Sequence, residues 1–123
     1  MLTPLVVELL RGGVPVRLVA TGASMEPTFA DGDTLEVQPL CGEPAIGRVA
    51  LYAVGTRLIA HRIVGLERSP AGDIDRVIMQ GDAVPLPDQP VPRADVLGLV
   101  VPERAGWLRR LRALVRRVLA RVR

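Results

Sequence analysis

Short apolar runs separated by turn-forming residues constrain the fold more than any other feature of this sequence. Six such runs, rich in valine, leucine and isoleucine, cover residues 14–20, 34–38, 48–54, 58–66, 74–79 and 96–101. Runs of this length, bounded by glycine, proline and aspartate, are typical of β-strands. We therefore predict a mainly β protein, with a coiled β-sheet or a barrel-like body.

Two segments depart from this strand pattern. Residues 85–92 include four prolines, which predict a stiff loop and no strand. Near the N-terminus, Thr3 and Pro4 precede an apolar stretch that ends at Gly12 and Gly13. This arrangement predicts a short helix with Thr3 as its N-cap and Pro4 at its first helical position.

Charge divides the chain into two parts. All 16 basic residues are arginines. Residues 1–103 contain eight arginines and 13 acidic residues, which gives a net charge of −5. Residues 104–123 contain eight arginines and no acidic residue, which gives a net charge of +8. The apolar residues of the second part recur at spacings of three and four, which indicates an amphipathic helix. We predict one domain over 1–103 and a basic amphipathic helix over 104–123.

The basic face of this predicted helix suits an anionic membrane surface or an acidic partner protein, although its apolar stripe would equally suit packing on its own domain. Its arginines are Arg109, Arg110, Arg112, Arg116, Arg117 and Arg121. With only three aromatic residues, the chain offers little surface on which bases could stack, so nucleic-acid binding is not expected. No apolar run approaches the roughly 20 residues of a membrane-spanning helix and no secretory signal is evident. We expect a cytoplasmic protein that associates at most peripherally with the membrane.

Three polar segments contain residues suited to nucleophilic catalysis. Ser24, His61 and an aspartate, either Asp82 or Asp88, are the residue types of a nucleophile, its general base and the group that orients the base. The absence of lysine excludes a Ser/Lys dyad, and the single cysteine, Cys41, excludes an intramolecular disulfide and a cysteine zinc cluster. We expect neither a metal nor a cofactor.

These segments carry a resemblance to the type I signal peptidase family. Residues 22–28, GASMEPT, resemble the family's serine box, and residues 47–52, GRVALY, are similar to the strand that follows it, with arginine where an acid is usual. Residues 60–64, AHRIV, resemble the His-Arg-Val motif of the archaeal and endoplasmic-reticulum branch, which uses histidine where other branches use lysine. Residues 79–82, MQGD, are similar to the Lys-Gly-Asp-Asn box. The match spans roughly residues 16–101.

The resemblance implies a serine endopeptidase that cleaves a peptide or precursor protein after small residues. It makes Ser24 the nucleophile, His61 the general base and Asp88 the acid that completes the group, while the choice between Asp82 and Asp88 stays open. Ala83 and Val84 replace the asparagines that the family has after Gly-Asp. The family's transmembrane anchor has no counterpart in this sequence.

Further residues are expected to support the site. The Ser24 backbone N–H, on the turn made by Gly22, would bind the oxyanion, with Thr21 as a second donor. Met25 would form an apolar wall beside the serine, and Met25 and Phe29 together would give a shallow apolar surface for a substrate that adds as a strand. Asp82 would brace its loop through an ion pair with Arg62.

Two other functions compete with this interpretation. A non-catalytic peptide-binding or membrane-docking module on the same scaffold would place Ser24 and His61 beyond hydrogen-bond reach and point Asp88 to solvent. A self-cleaving repressor-type peptidase would offer Cys41-Gly42 as its scissile bond. The second is disfavoured because that class relies on a lysine base, places its cleavage site before the serine and has a DNA-binding helix pair that this sequence does not show.

Overall fold

One eight-stranded sheet dominates the protein. The computed structural model describes residues 2–102 and 121–122. A single helix, α1, precedes the sheet, and a 3₁₀ turn lies between the sixth and seventh strands. The elements are α1 Thr3–Arg11, β1 Val16–Ala20, β2 Thr34–Pro39, β3 Val49–Val54, β4 Arg57–Arg68, β5 Ile74–Gln80, β6 Val91–Pro92, the turn Arg93–Asp95, β7 Val96–Val100 and β8 Arg121–Val122. The mainly β class predicted from the apolar runs is confirmed.

The strands follow the order β6-β5-β4-β3-β7-β2-β1-β8 across the sheet. Every neighbouring pair is antiparallel except β1 with β8, which run parallel. No ladder joins the edge strands β6 and β8 in the part of the chain that the structure describes. The sheet is therefore open and does not close into a barrel.

The middle of the sheet is buried on both faces. Alternate residues of β3 enter different clusters, because successive side chains of a strand point to opposite faces. Leu51 packs with α1 and the first two strands, whereas Tyr52 packs with β5 and the segment around Val91. This explains why β3 is almost uniformly apolar, and it places β4, its partner, between the same two clusters.

Two details of the predicted elements are wrong. Val91 and Pro92 were predicted to lie in a loop, but they form β6, in which Val91 lies opposite Val77 of β5. A proline fits here because β6 is an edge strand with no further partner on its outer side. Thr3 is inside α1 instead of capping it, and its hydroxyl donates to the Thr56 carbonyl oxygen over 2.8 Å.

The predicted basic helix falls mostly outside the described residues. Its arginines at 109, 110, 112, 116 and 117 lie there, so the membrane and acidic-partner hypotheses remain predictions. The prediction of a helix is wrong for its last turn, because Arg121–Val122 form a strand that pairs with the edge of β1. Within the described part of the chain, no helix is long and apolar enough to cross a membrane.

Candidate active site

The loop that follows β1 presents Ser24. Gly22 adopts a left-handed conformation with φ of 86°, which costs glycine little, and its N–H donates to the Asp31 carboxylate over 2.9 Å. The N–H of Ala20, the last residue of β1, donates to the Asp33 carbonyl oxygen over 2.8 Å. These bonds fold the loop back on the end of β1 and hold Ser24, half-buried, at a fixed position.

His61 reaches this loop from β4. It lies opposite Ala50 of β3, and only 8% of its surface is exposed. Its Nε2 atom is 3.1 Å from the Ser24 hydroxyl oxygen, which is within the distance expected between a nucleophile and its base. The structure therefore brings together two predicted site residues that are 37 positions apart in the sequence.

Asp88 lies behind the imidazole ring. Its Oδ2 atom is 2.5 Å from the His61 Nδ1 atom, and its backbone N–H donates to the Met79 carbonyl oxygen over 2.7 Å, which ties the loop to β5. Asp82 makes no such contact with the ring. The sequence left the choice between Asp82 and Asp88 open, and in the structure Asp88 is the one that contacts and orients His61.

Tyr52 is a site residue that the sequence analysis missed. Its hydroxyl donates over 2.7 Å to the same Asp88 oxygen that His61 contacts. Burial raises the pKa of the Tyr52 phenol, and the hydrogen bond to Asp88 raises it further, so the group stays a donor. Tyr52 is the chain's only tyrosine and stands in the GRVALY segment, but only the folded structure shows that it contacts an aspartate 36 residues away in the sequence.

Asp82 has a bracing role, as predicted. Both of its oxygens accept from Arg62, Oδ1 from Nε over 2.8 Å and Oδ2 from Nη2 over 2.7 Å. Thr28, at the end of the serine loop, also donates its hydroxyl to Asp82. The predicted ion pair with Arg62 is thus confirmed, and the hydrogen bond from Arg62 holds the pKa of Asp82 below its usual value. Three segments of the site are joined at this carboxylate.

This ion pair predicts a pH-dependent stability. A carboxyl whose pKa is lower in the folded than in the unfolded chain, where it is about 3.9, stabilises the fold above that value and loses the effect as the pH falls through the folded pKa. Asp82→Asn should therefore cost about 1 kcal/mol of unfolding free energy at neutral pH and progressively less in acid. Thermal melts of both proteins from about pH 7 to about pH 2 measure the difference. Asp75→Asn, at an exposed residue of β5, is the control; a cost that is the same at every pH would contradict the prediction.

Gly81 is the second residue that the sequence analysis did not assign to the site. A Cβ atom built on it would lie 2.6 Å from the Ser24 carbonyl oxygen and 3.1 Å from His61 Nε2. Real Cβ atoms do not approach backbone oxygen so closely, so any side chain here would displace the serine loop or the ring. Gly81 was quoted as part of the MQGD segment, but its role depends on a close approach that the local sequence does not reveal.

The predicted oxyanion donors lie on the serine loop. Within the described residues, the Ser24 backbone N–H has no hydrogen-bond acceptor, so it can bind a developing negative charge. The N–H of Gly22 is already bonded to Asp31, so Gly22 shapes the turn and does not donate to the oxyanion. Thr21 directly follows β1 and is half-buried, which places it at the base of the same loop.

The prediction that Met25 and Phe29 form an apolar surface for a substrate is wrong. Met25 is 2% and Phe29 8% exposed, and both belong to the core cluster that includes α1. The Met25 sulfur accepts the Asp82 backbone N–H over 3.3 Å. These two side chains point into the core because the serine loop lies over it, and they anchor the loop instead of offering a surface to a substrate.

Comparison with known proteins adds no identification. No protein-family model matches this chain, and no curated protein matches it. Among residues 2–102 and 121–122, no group of three histidine, cysteine, aspartate or glutamate side chains could hold a metal ion.

Proposed function

We propose that the protein is a serine endopeptidase in which Ser24, His61 and Asp88 act as nucleophile, general base and orienting acid. The observation that carries the proposal is the continuous contact from the Ser24 hydroxyl to His61 Nε2, 3.1 Å, and from His61 Nδ1 to Asp88, 2.5 Å. A hydroxyl, an imidazole and a carboxylate in this order are the arrangement that activates a serine for acyl transfer.

The geometry supports a definite sequence of proton transfers. The Ser24 oxygen attacks the substrate carbonyl carbon while its proton passes to His61 Nε2, and the carbonyl oxygen becomes an oxyanion that the Ser24 N–H can bind. The carbon–nitrogen bond then breaks, and His61 returns the proton to the leaving amine. Water hydrolyses the acyl-enzyme by the same path in reverse. Throughout, Asp88 stabilises the imidazolium and holds Nδ1 as the protonated nitrogen.

The substrate class follows from the resemblance to type I signal peptidases. We propose a peptide or precursor protein, bound in an extended conformation and cleaved after small residues. A cytoplasmic location, with peripheral membrane contact through the basic segment, belongs to the same proposal. The non-catalytic module would require Ser24 and His61 to be out of hydrogen-bond reach, and the 3.1 Å separation favours the peptidase instead.

Cleavage mapping on a defined peptide library tests the proposed function. The purified protein is incubated with the library, and mass spectrometry identifies the new termini. We expect cuts after small residues with the native protein and none with His61→Ala, since loss of the base leaves the serine inactive. Arg57→Ala, at an exposed position of the same strand, should preserve the pattern. Identical patterns from the native protein and His61→Ala would refute the proposal.

A further inference from the structure

The sheet coils so that two strands distant in its order meet at the candidate site. β1 and β4 are separated by three strands, β2, β7 and β3, yet Ser24, four residues after the end of β1, contacts His61 on β4. The edge of β1 that does not pair with β2 therefore faces toward β4. This leaves a seam between β1 and β4, with Ser24 and His61 at one end of it.

A short strand of the chain itself occupies this seam. β8 pairs with the free edge of β1, with Arg121 opposite Val19 and Val122 opposite Ala20, and its backbone also lies close to β4. The N–H of Ala20 donates toward β2, to the Asp33 carbonyl oxygen. Because peptide groups alternate sides along a strand, Val19 is the β1 residue that presents its backbone to β8.

The direction in which β8 runs along the seam leads toward Ser24. β1 runs toward Ser24, and β8 is parallel to β1, so a chain in the position of β8 also runs toward Ser24 in its N-to-C direction. Val122 lies opposite Ala20, four residues before the nucleophile. A peptide that followed the same path for a few more residues would bring a backbone carbonyl to the Ser24 hydroxyl.

We propose that β8 is an intramolecular competitor for the extended peptide that the proposed function places in the seam between β1 and β4. The incoming partner is an extended peptide that adds as a parallel strand along β1, through backbone hydrogen bonds to residues such as Val19. The docking itself does not depend on catalysis; the consequence that β8 slows hydrolysis rests on the proposed function.

The size of β8 suits a competitor that can be displaced. Two paired residues supply few hydrogen bonds, each with a net worth of only about 1 kcal/mol, so the strand is weak by itself. Its covalent attachment compensates, since a tethered segment acts at an effective concentration on the order of millimolar. A longer peptide makes more backbone bonds along the seam and can replace it. If β8 is bound for about nine-tenths of the time, the apparent affinity for such a peptide falls about tenfold.

Full-length variants of β8 test the docking site. The probe is a fluorescent peptide with the sequence of residues 116–123, RRVLARVR, and its binding is followed by fluorescence anisotropy in a Ser24→Ala background, so that no cleavage is needed. The double variant Arg121→Pro/Val122→Pro removes both backbone donors of β8 and should bind the probe about tenfold more tightly than the parent. Arg121→Ala/Val122→Ala retains the donors and should bind it like the parent.

The outcomes separate the possibilities. Equal affinity of the parent and the proline variant would overturn the proposal, as would an equal gain in the proline and alanine variants, which would indicate a side-chain effect. A probe with N-methyl groups at the positions of residues 121 and 122 has the same charge but fewer backbone donors; if it bound as tightly as the original probe, charge attraction would explain the binding and the proposal would fail.

A measurement on the parent protein needs no β8 variant and therefore cannot be compromised by misfolding. As the probe saturates the protein, the Val122 amide should exchange with solvent faster while the Val19 amide stays protected, because the probe replaces β8. Unchanged exchange at Val122 would overturn the proposal. If the probe binds as expected but no peptide is cleaved by the protein with Ser24 intact, the docking site stands and the proposed catalytic function fails.

Discussion

Replacing Ser24 with alanine is expected to lower kcat for peptide hydrolysis by about 10⁴- to 10⁶-fold, the loss typical of removing a catalytic serine. The hydroxyl is the only group that the loop directs at His61 Nε2, and alanine leaves the ring without a proton to accept. The best peptide from the cleavage map is the substrate, and initial rates over a range of concentrations give kcat and KM separately.

The loss should be one of activity and not of folding. The Ser24 carbonyl oxygen accepts the Ala83 N–H over 2.9 Å, and Met25 remains buried in the core, so the loop keeps its position without the hydroxyl. An unchanged melting temperature checks this. Ser69, the chain's only other serine, lies in the turn between β4 and β5, and Ser69→Ala should retain full activity. Comparable rates for Ser24→Ala and the native protein would exclude Ser24 as the nucleophile.

Replacing Asp88 with asparagine is expected to lower kcat by about 10⁴-fold, although the substitution is nearly isosteric. The carboxylate accepts a hydrogen bond from His61 Nδ1, which leaves Nε2 unprotonated and ready to accept the serine proton. The asparagine amide can instead donate to Nδ1, and the ring proton then moves to Nε2, where it blocks the transfer. The same rate assay measures the loss.

Nuclear magnetic resonance can report the cause directly. His61 is the only histidine, so the imidazole nitrogen signals of a ¹⁵N-labelled sample belong to one ring. We expect the proton on Nδ1 in the native protein and on Nε2 in Asp88→Asn at a pH where the ring is neutral.

Tyr52→Phe removes one hydrogen bond to Asp88, worth about 1 kcal/mol, and should lower the rate only about fivefold without changing the tautomer. An unaltered tautomer in Asp88→Asn would refute the proposed role of Asp88.

The pattern of apolar runs predicted most of the sheet because strand formation is largely local. The six predicted runs correspond to six of the eight strands, with ends displaced by up to a few residues. The two strands that were missed, β6 and β8, are two residues each and lie at the sheet edges. They carry no periodicity of their own, since a two-residue strand exists only where a longer neighbour offers free backbone groups.

In the candidate site, too, local motifs were predicted from the sequence and contacts between distant segments were not. Ser24 and His61 were predicted because each stands in a short motif of specific chemistry, and the ion pair of Arg62 with Asp82 was predicted beside them. The resemblance favoured Asp88 as the orienting acid but left the choice between Asp88 and Asp82 open. It depends on where the loop after β5 returns, which the bond from the Asp88 N–H to Met79 fixes.

The sequence by itself determined the β class, the segments that carry Ser24 and His61 and the absence of lysine chemistry, because these depend on residue type and local spacing. Only the tertiary structure decided that Tyr52 supports Asp88, that Gly81 must lack a side chain, that Met25 and Phe29 are core residues, and that β8 lies in the seam beside β1. Each of these is a contact between segments far apart in the chain. Such contacts are set by the coiling of the sheet and the closure of its loops, which no local stretch of sequence specifies.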